Sequence, residues 1–122
     1  MNALLIMAHG SPRAEANDVV REVAALIRER NVYEPVVIGY LDVNEPTIST
    51  ALEQCVGAGA EQIVAVPYFL HSGKHVLLDI PELLEQARRR HPEVSILMSD
   101  YLGRNPLIDS ILVARVREAI AT

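Results

Sequence analysis

Imidazole is the side chain in this sequence best suited to holding a metal ion or taking up a proton, and three of the four histidines stand in two short turns. One turn is Ala8-His9-Gly10-Ser11-Pro12; the other is Val66-Pro67-Tyr68-Phe69-Leu70-His71-Ser72-Gly73-Lys74-His75. Histidine titrates at about pH 6.5 when unperturbed, so near neutrality it can ligate or act as a base. Neutral imidazole suits Fe, Co, Ni and Zn, and a site with few protein ligands leaves positions open for exchange. His71 and His75 are four residues apart, a spacing that on a helix aims both rings at one ion. Gly73 between them points instead to a loop or a helix start. No glutamate lies between them, which argues against the zinc-protease helix.

Carboxylates and donors surround these turns in the sequence. Asp42 and Glu45 fall in the polar stretch Asp42-Val43-Asn44-Glu45-Pro46-Thr47. They are either ordinary turn carboxylates or groups that orient a histidine or receive protons. Ser11 is the expected N-cap of a helix with Pro12 in its first position, and that helix start suits an anion. Neither GxGxxG nor GxxxxGK[ST] occurs, so the turn is not a nucleotide-phosphate fingerprint. Asp79, before Ile80-Pro81, reads as the cap of a later helix. Of Tyr68 and Phe69, one is expected in the core and the other on an apolar pocket wall.

The elements that must position these groups alternate regularly. Apolar residues 2–8 form the first strand, and a helix runs from near Pro12 or Ala14 to about Arg30 with Val19, Val20, Val23, Ala24 and Ile27 as its apolar stripe. A second strand over 36–41 is expected to be buried on both faces, and a helix over 47–58 ends at Gly57 and Gly59. The third strand spans 61–67, and the third helix begins between Lys74 and Ile80 and stops near His91-Pro92. Residues 93–99 give the fourth strand; a last helix over 106–121 offers Leu107, Ile111, Val113, Ala114 and Ile120 for packing. This βαβαβαβα order predicts an α/β fold: an open, parallel four-stranded sheet with helices on both faces, flavodoxin-like, in one domain spanning 1–122. In such sheets the strands' carboxyl ends form the ligand rim, which places His9 and the later histidines on one edge. Four strands make a shallow crevice, so a partner subunit is expected.

Composition narrows the classes. Half the residues are hydrophobic and 22% charged, a profile of one globular domain large enough to bury a core without staples. The net charge is −5, aromatic content is 4%, and the one basic cluster, Arg88-Arg89-Arg90, reads as a solvated helix end. Nucleic-acid and anionic-membrane binding are therefore not expected. Cys55, the single cysteine, excludes an intramolecular disulfide and a cysteine-built zinc site and is assigned to the core. With no signal peptide or membrane span legible, a cytoplasmic location is expected.

His9-Gly10-Ser11, the stretch Leu41-Asp42-Val43-Asn44-Glu45-Pro46-Thr47, and Pro67 through Val76 with Asp79-Ile80-Pro81 together resemble the sirohydrochlorin chelatases of the small CbiX type. The likeness spans nearly the whole chain, and FLxxGxHxxxDIP is its specific motif. It implies a class II chelatase-like lobe that inserts a divalent metal, Co²⁺ favoured and Ni²⁺ or Fe²⁺ possible, into sirohydrochlorin without ATP or an organic cofactor. The pathway implied is that of cobalamin, sirohaem or a nickel tetrapyrrole. Larger relatives carry two such lobes, so a single-lobe chain implies a homodimer. By motif position, His9 and His75 correspond to the histidines that hold the metal and accept pyrrole protons, with Glu45 as an assisting carboxylate and His71 as an auxiliary. Asp42 stands where many relatives have Glu. Sirohydrochlorin is a polycarboxylate, and an acidic protein must bind it through local donors. Ser11, Arg13, Lys74 and the first turns of helices one and three are the candidates, with Phe69 as an apolar wall. The competing readings are a non-catalytic metal or tetrapyrrole carrier using the same histidines, and a flavodoxin-like phospho-ligand module.

Overall fold

A computed structural model describes residues 1–121, and for residues 74–77 only the backbone. The strands are β1 (Ala3–Ala8), β2 (Val36–Tyr40), β3 (Gln62–Pro67) and β4 (Ser95–Met98). The helices are α1 (Ala14–Glu29), α2 (Ile48–Gly57), α3 (Lys74–Arg90) and α4 (Ile108–Ala121), with a 3-10 turn at Leu102–Arg104 before α4. All pairings are parallel and the sheet order is β2-β1-β3-β4. The expected fold class is what the chain adopts. Within this order the direction of winding reverses between β1 and β3, the topological switch point where open α/β sheets bind ligands.

β1 is central and all six of its residues are buried. Alternation along the strand then divides them between two cores. Ala3, Leu5 and Met7 face α2 and α3, packing with Ile48, Leu52, Cys55, Ile80 and Leu84. Leu4, Ile6 and Ala8 face α1, packing with Val20 and Ala24. Each large aliphatic chain buried in this way contributes about 1.5–3 kcal/mol, so β1 anchors both layers.

β2 and β4 are the edges. β2 is therefore not buried on both faces as expected: Val37 and Ile38 are only half-buried. Edge strands carry unpaired carbonyls, and the chain covers one on each side with the same device. In the last turn of α1, Arg28 donates Nε and Nη2 to the Val36 carbonyl at 3.1 and 2.7 Å. In the last turn of α3, Arg88 does the same to Ile96 at 3.0 and 2.8 Å. The basic cluster is thus more than a solvated end, since Arg90 Nε also binds Glu53 Oε1 at 3.0 Å.

Three local expectations change. α1 starts at Ala14 with Arg13 as an N-cap that makes no side-chain bond, so Ser11 does not cap it. Asp79 does not cap α3 but lies inside it, the helix beginning after Gly73. α4 covers neither sheet face: none of its residues is buried, and Val19 of α1 is exposed as well. Among the described residues no helix is long and apolar enough to cross a membrane.

Candidate functional site

The turn after β1 is built from backbone outward. Ala8 O accepts the Leu41 N–H at 2.8 Å and His9 O accepts the Asp42 N–H at 3.0 Å, extending the β1–β2 pairing past the strand ends. Gly10 follows at φ +93, and a Cβ there would collide with the Asp42 carbonyl. Only glycine satisfies both the left-handed backbone and that approach. Ser11 is then held from both sides of its peptide. Its N–H donates to Asn44 Oδ1 at 2.7 Å, and its carbonyl accepts from Asn17 Nδ2 at 2.9 Å. Ser11 Oγ accepts the Arg13 N–H at 3.1 Å, which starts α1 two residues later than a Ser11 cap would.

The neighbouring turn after β3 is tied to the same rim. Tyr68 N–H donates to Met7 O at 2.8 Å. The expectation that one of the two aromatics is core resolves as a division: both are half-buried, Phe69 packing on the α2/α3 core and Tyr68 on the α1 core. Between the two turns lies a cleft of about 370 Å³ lined by Ala8, His9, Ser11, Asn17, Tyr68 and Phe69, among others. His9 is exposed on its wall, and among the described residues its imidazole has no hydrogen-bond partner. A ring in that position is available to an incoming ligand.

The structure brings His9, Ser11 and Phe69 to one cleft. His71 is exposed in the loop before α3, and Lys74 and His75 are the first two residues of that helix. The expectations for the Lys74 and His75 side chains lie outside the described residues. Among the described residues no group of three or more His, Cys, Asp or Glu side chains could hold a metal ion. Glu45 is not brought to the His9 cleft; it lines a separate groove of about 270 Å³ with Arg21, Tyr40 and Pro46. Asp42 is a turn carboxylate whose Oδ1 accepts the Val43 N–H at 2.8 Å. Arg13 is largely exposed at the start of α1, 3.9 Å from Glu15.

Sequence reasoning passed over two residues that shape the site, Asn17 and Asn44. Asn17 is 4% exposed, and its signal was a polar residue one turn before Val20 on the buried side of α1. Asn44 belongs to the motif stretch beside Glu45, but nothing in its type or spacing signals a bond to the turn after β1. The first turns of α1 and α3 both adjoin the rim, and neither has a side-chain cap, whereas α2 is capped by Thr47 Oγ1 accepting the Thr50 N–H. Uncapped first turns leave N–H groups for an anionic ligand.

An open parallel sheet with an imidazole-bearing turn beside its switch point defines the class, an α/β protein that takes a ligand at the carboxyl rim. The chain belongs to the CbiX family, whose model matches residues 3–119. It is 40% identical over 84 residues to a sirohydrochlorin cobaltochelatase of Methanococcus maripaludis, a match covering 69% of this chain and 58% of that protein. The chain therefore spans less than two thirds of that relative's length. A CbiX protein of Marinobacter aquaeolei, described as a cobalamin biosynthesis protein, superposes with a TM-score of 0.86 at 28% identity, covering 99% of this chain and 98% of that one. The sirohydrochlorin chelatase SirB of Bacillus subtilis subspecies spizizenii, solved in complex with cobalt, superposes with a TM-score of 0.84 at 31% identity. That match covers 97% of this chain and 51% of SirB.

Proposed function

We propose that this chain is a sirohydrochlorin chelatase that inserts a divalent metal into the tetrapyrrole without ATP, acting as a homodimer in the cytoplasm. The observation that carries the reading is the exposed His9 imidazole, fixed at the end of the central strand on the wall of a cleft whose opposite turn leads into His75. Insertion joins M²⁺ to four ring nitrogens and releases two pyrrole protons. His9 and His75 serve as metal-holding groups and proton acceptors on one face of the ring. The metal is substrate, and Co²⁺ is favoured by the names of the methanogen relative and the cobalt-bound SirB. Ni²⁺ and Fe²⁺ accept the same imidazole ligands.

The ring's carboxylates meet Arg13, Lys74, the Ser11 turn and the uncapped first turns of α1 and α3, while Phe69 gives an apolar wall. Glu45 takes a secondary part, as a carboxylate in the adjacent groove that receives protons leaving the rim.

The test is anaerobic metallation of sirohydrochlorin followed by absorbance, with Co²⁺, Ni²⁺ and Fe²⁺ in turn. Acceleration over the spontaneous rate is expected for the wild type, with a loss of roughly 10²–10⁴-fold in His9→Ala and in His75→Ala. Tight binding of metal or tetrapyrrole with no acceleration would replace the enzyme by a carrier.

A further inference from the structure

The last helix and one strip of the sheet are each left open, and they match. Along α4, Ile108, Leu112, Val116 and Ile120 recur every fourth residue, with Asp109 at the start of this stripe and Arg117 away from it, while Ile111 stands on a neighbouring line with Arg115 and Glu118. Ile111, Leu112, Val116 and Ile120 are 53–80% exposed. Only the root of the helix is seated. Ile108 and Ile111 line an apolar pocket of about 230 Å³ with Tyr68, Phe69, Leu70 and Leu102.

On the sheet, α1 covers β2 and β1 but stops short of the β3–β4 side. Leu97 of β4 is 48% exposed, and Val64 and Val66 of β3 are half-buried. Val19 on the flank of α1 is 53% exposed. A doubly wound sheet seats its last helix on such a strip, because a parallel sheet needs cover on both faces. Here the chain leads α4 away over the 3-10 turn instead. Gly103 fixes that exit: its N–H donates to Phe69 O at 3.1 Å, and a Cβ there would collide with the Leu70 carbonyl.

We propose that two copies of this chain exchange α4, each helix lying on the Val64, Val66 and Leu97 strip of the other. The proposal rests on the homodimer inferred above and names what makes it. A second copy is the fitting occupant because one chain presents both the unmet helix and the unmet strip, so a two-fold axis satisfies both at once. The helix extends roughly 21 Å. Two such seats, counted on both partners, bring the buried area into the class of about 1,200–2,000 Å² that stable interfaces need. The length relation to SirB agrees, since the chain matches about half of that protein. Phe69 walls both the His9 cleft and the α4 root. Exchange therefore sets the partner's sheet within one helix length of the cleft.

Sedimentation equilibrium tests this on the full chain. The wild type is expected to be a dimer. Leu97→Asp, which spoils the strip, and Leu112→Asp/Val116→Asp, which spoils the helix, are each expected to weaken dimerisation by roughly a hundredfold or more. Both sites are exposed, so far-UV circular dichroism should stay that of the wild type; Leu97→Lys and Ile120→Asp form a second pair if either variant misfolds. Mixing the strip variant with the helix variant should restore a dimer, because one of the two seats is then intact. A wild type that remains monomeric at its highest soluble concentration overturns exchange and homodimer together. A dimer that Leu97→Asp leaves unchanged, or a mixture that fails to associate, overturns exchange alone, and the metallation assay stands apart from all three outcomes.

Discussion

Ser11 and Asn44, thirty-three residues apart, are joined by a 2.7 Å hydrogen bond from the Ser11 N–H to Asn44 Oδ1. With Asn17 on the Ser11 carbonyl, this bond locks the turn that carries His9 to the loop after β2. The imidazole is exposed, yet the backbone beneath it has little freedom, which is what a ligating group needs if it is to meet an ion in one geometry.

Asn44→Ala removes the acceptor and leaves a partly buried N–H unpaired, at a cost of about 1–3 kcal/mol. Urea denaturation should show that loss, and metallation should slow because His9 loses its fixed place. Asn44→Asp keeps an oxygen in position and should recover most of both. If Asn44→Ala matches the wild type in stability and rate, the bond is not what holds the turn.

The parts legible in the sequence are those where a local pattern meets its usual surroundings. Ala3–Ala8 reads as a buried strand because it is continuously apolar, and it is central. Thr47 opens α2 and Gly57 closes it within a residue of the expected bounds. The failures come where a distant segment decides. β2 has the composition of an interior strand but lies at an edge, and no local pattern encodes its neighbours. Ser11 looks like a cap, yet its peptide is engaged by Asn44 and Asn17, and the helix starts later. The apolar stripe of α4 was readable, but not that it would leave its own sheet. Of the candidate site, His9, Ser11 and Phe69 line one cleft while Glu45 lines a separate groove, a division that depends on how the turns fold against each other and that no local pattern encodes.

Cys55 is buried in the α2/α3 core, and burial pushes its thiol up to about 11. A thiol held protonated and out of contact with water is a poor nucleophile. The native protein should therefore resist iodoacetamide at pH 8 over hours while the urea-unfolded chain is modified completely, as intact mass would show. Rapid native alkylation would mean that this core opens far more readily than its packing implies.

Glu53 on α2 faces His91 and Arg90 at the end of α3. His91 Nε2 is 2.8 Å from Oε2 and Arg90 Nε donates to Oε1 at 3.0 Å. Desolvation works to raise the carboxyl, but the His91 and Arg90 hydrogen bonds and charges outweigh it and hold Glu53 below the usual carboxylate range. A depressed folded-state value gives stability that is present above the unfolded value of about 4.3 and lost as pH falls through the folded one. The pair is substantially exposed, so water and salt limit it to about 0.2–1 kcal/mol. Glu53→Gln should cost that amount at pH 6 and nothing well below pH 4, measured by urea midpoints across that range. An equal cost at both pH values would show that packing, not charge, is what the substitution removes.

Two glycines predict opposite signs for the same substitution. Gly57 ends α2, and a Cβ there would meet nothing within 4 Å. Gly57→Ala gains helix propensity and restricts the unfolded chain, so it should stabilise by about 0.5–1 kcal/mol. Gly103 lies in the 3-10 turn against the loop after β3, its N–H bonded to Phe69 O and its missing Cβ replaced by the Leu70 carbonyl. Backbone on both sides leaves nothing soft to yield. Gly103→Ala should cost about 1–3 kcal/mol, the usual penalty of overpacking. It should also disturb Tyr68 and Tyr101, which flank that contact, in the near-ultraviolet circular dichroism. Thermal unfolding of the two variants beside the wild type separates them: a shift up for Gly57→Ala and down for Gly103→Ala is expected. A neutral Gly103→Ala would mean that the turn and the loop part without cost, and that the root of α4 is not fastened to the wall of the His9 cleft.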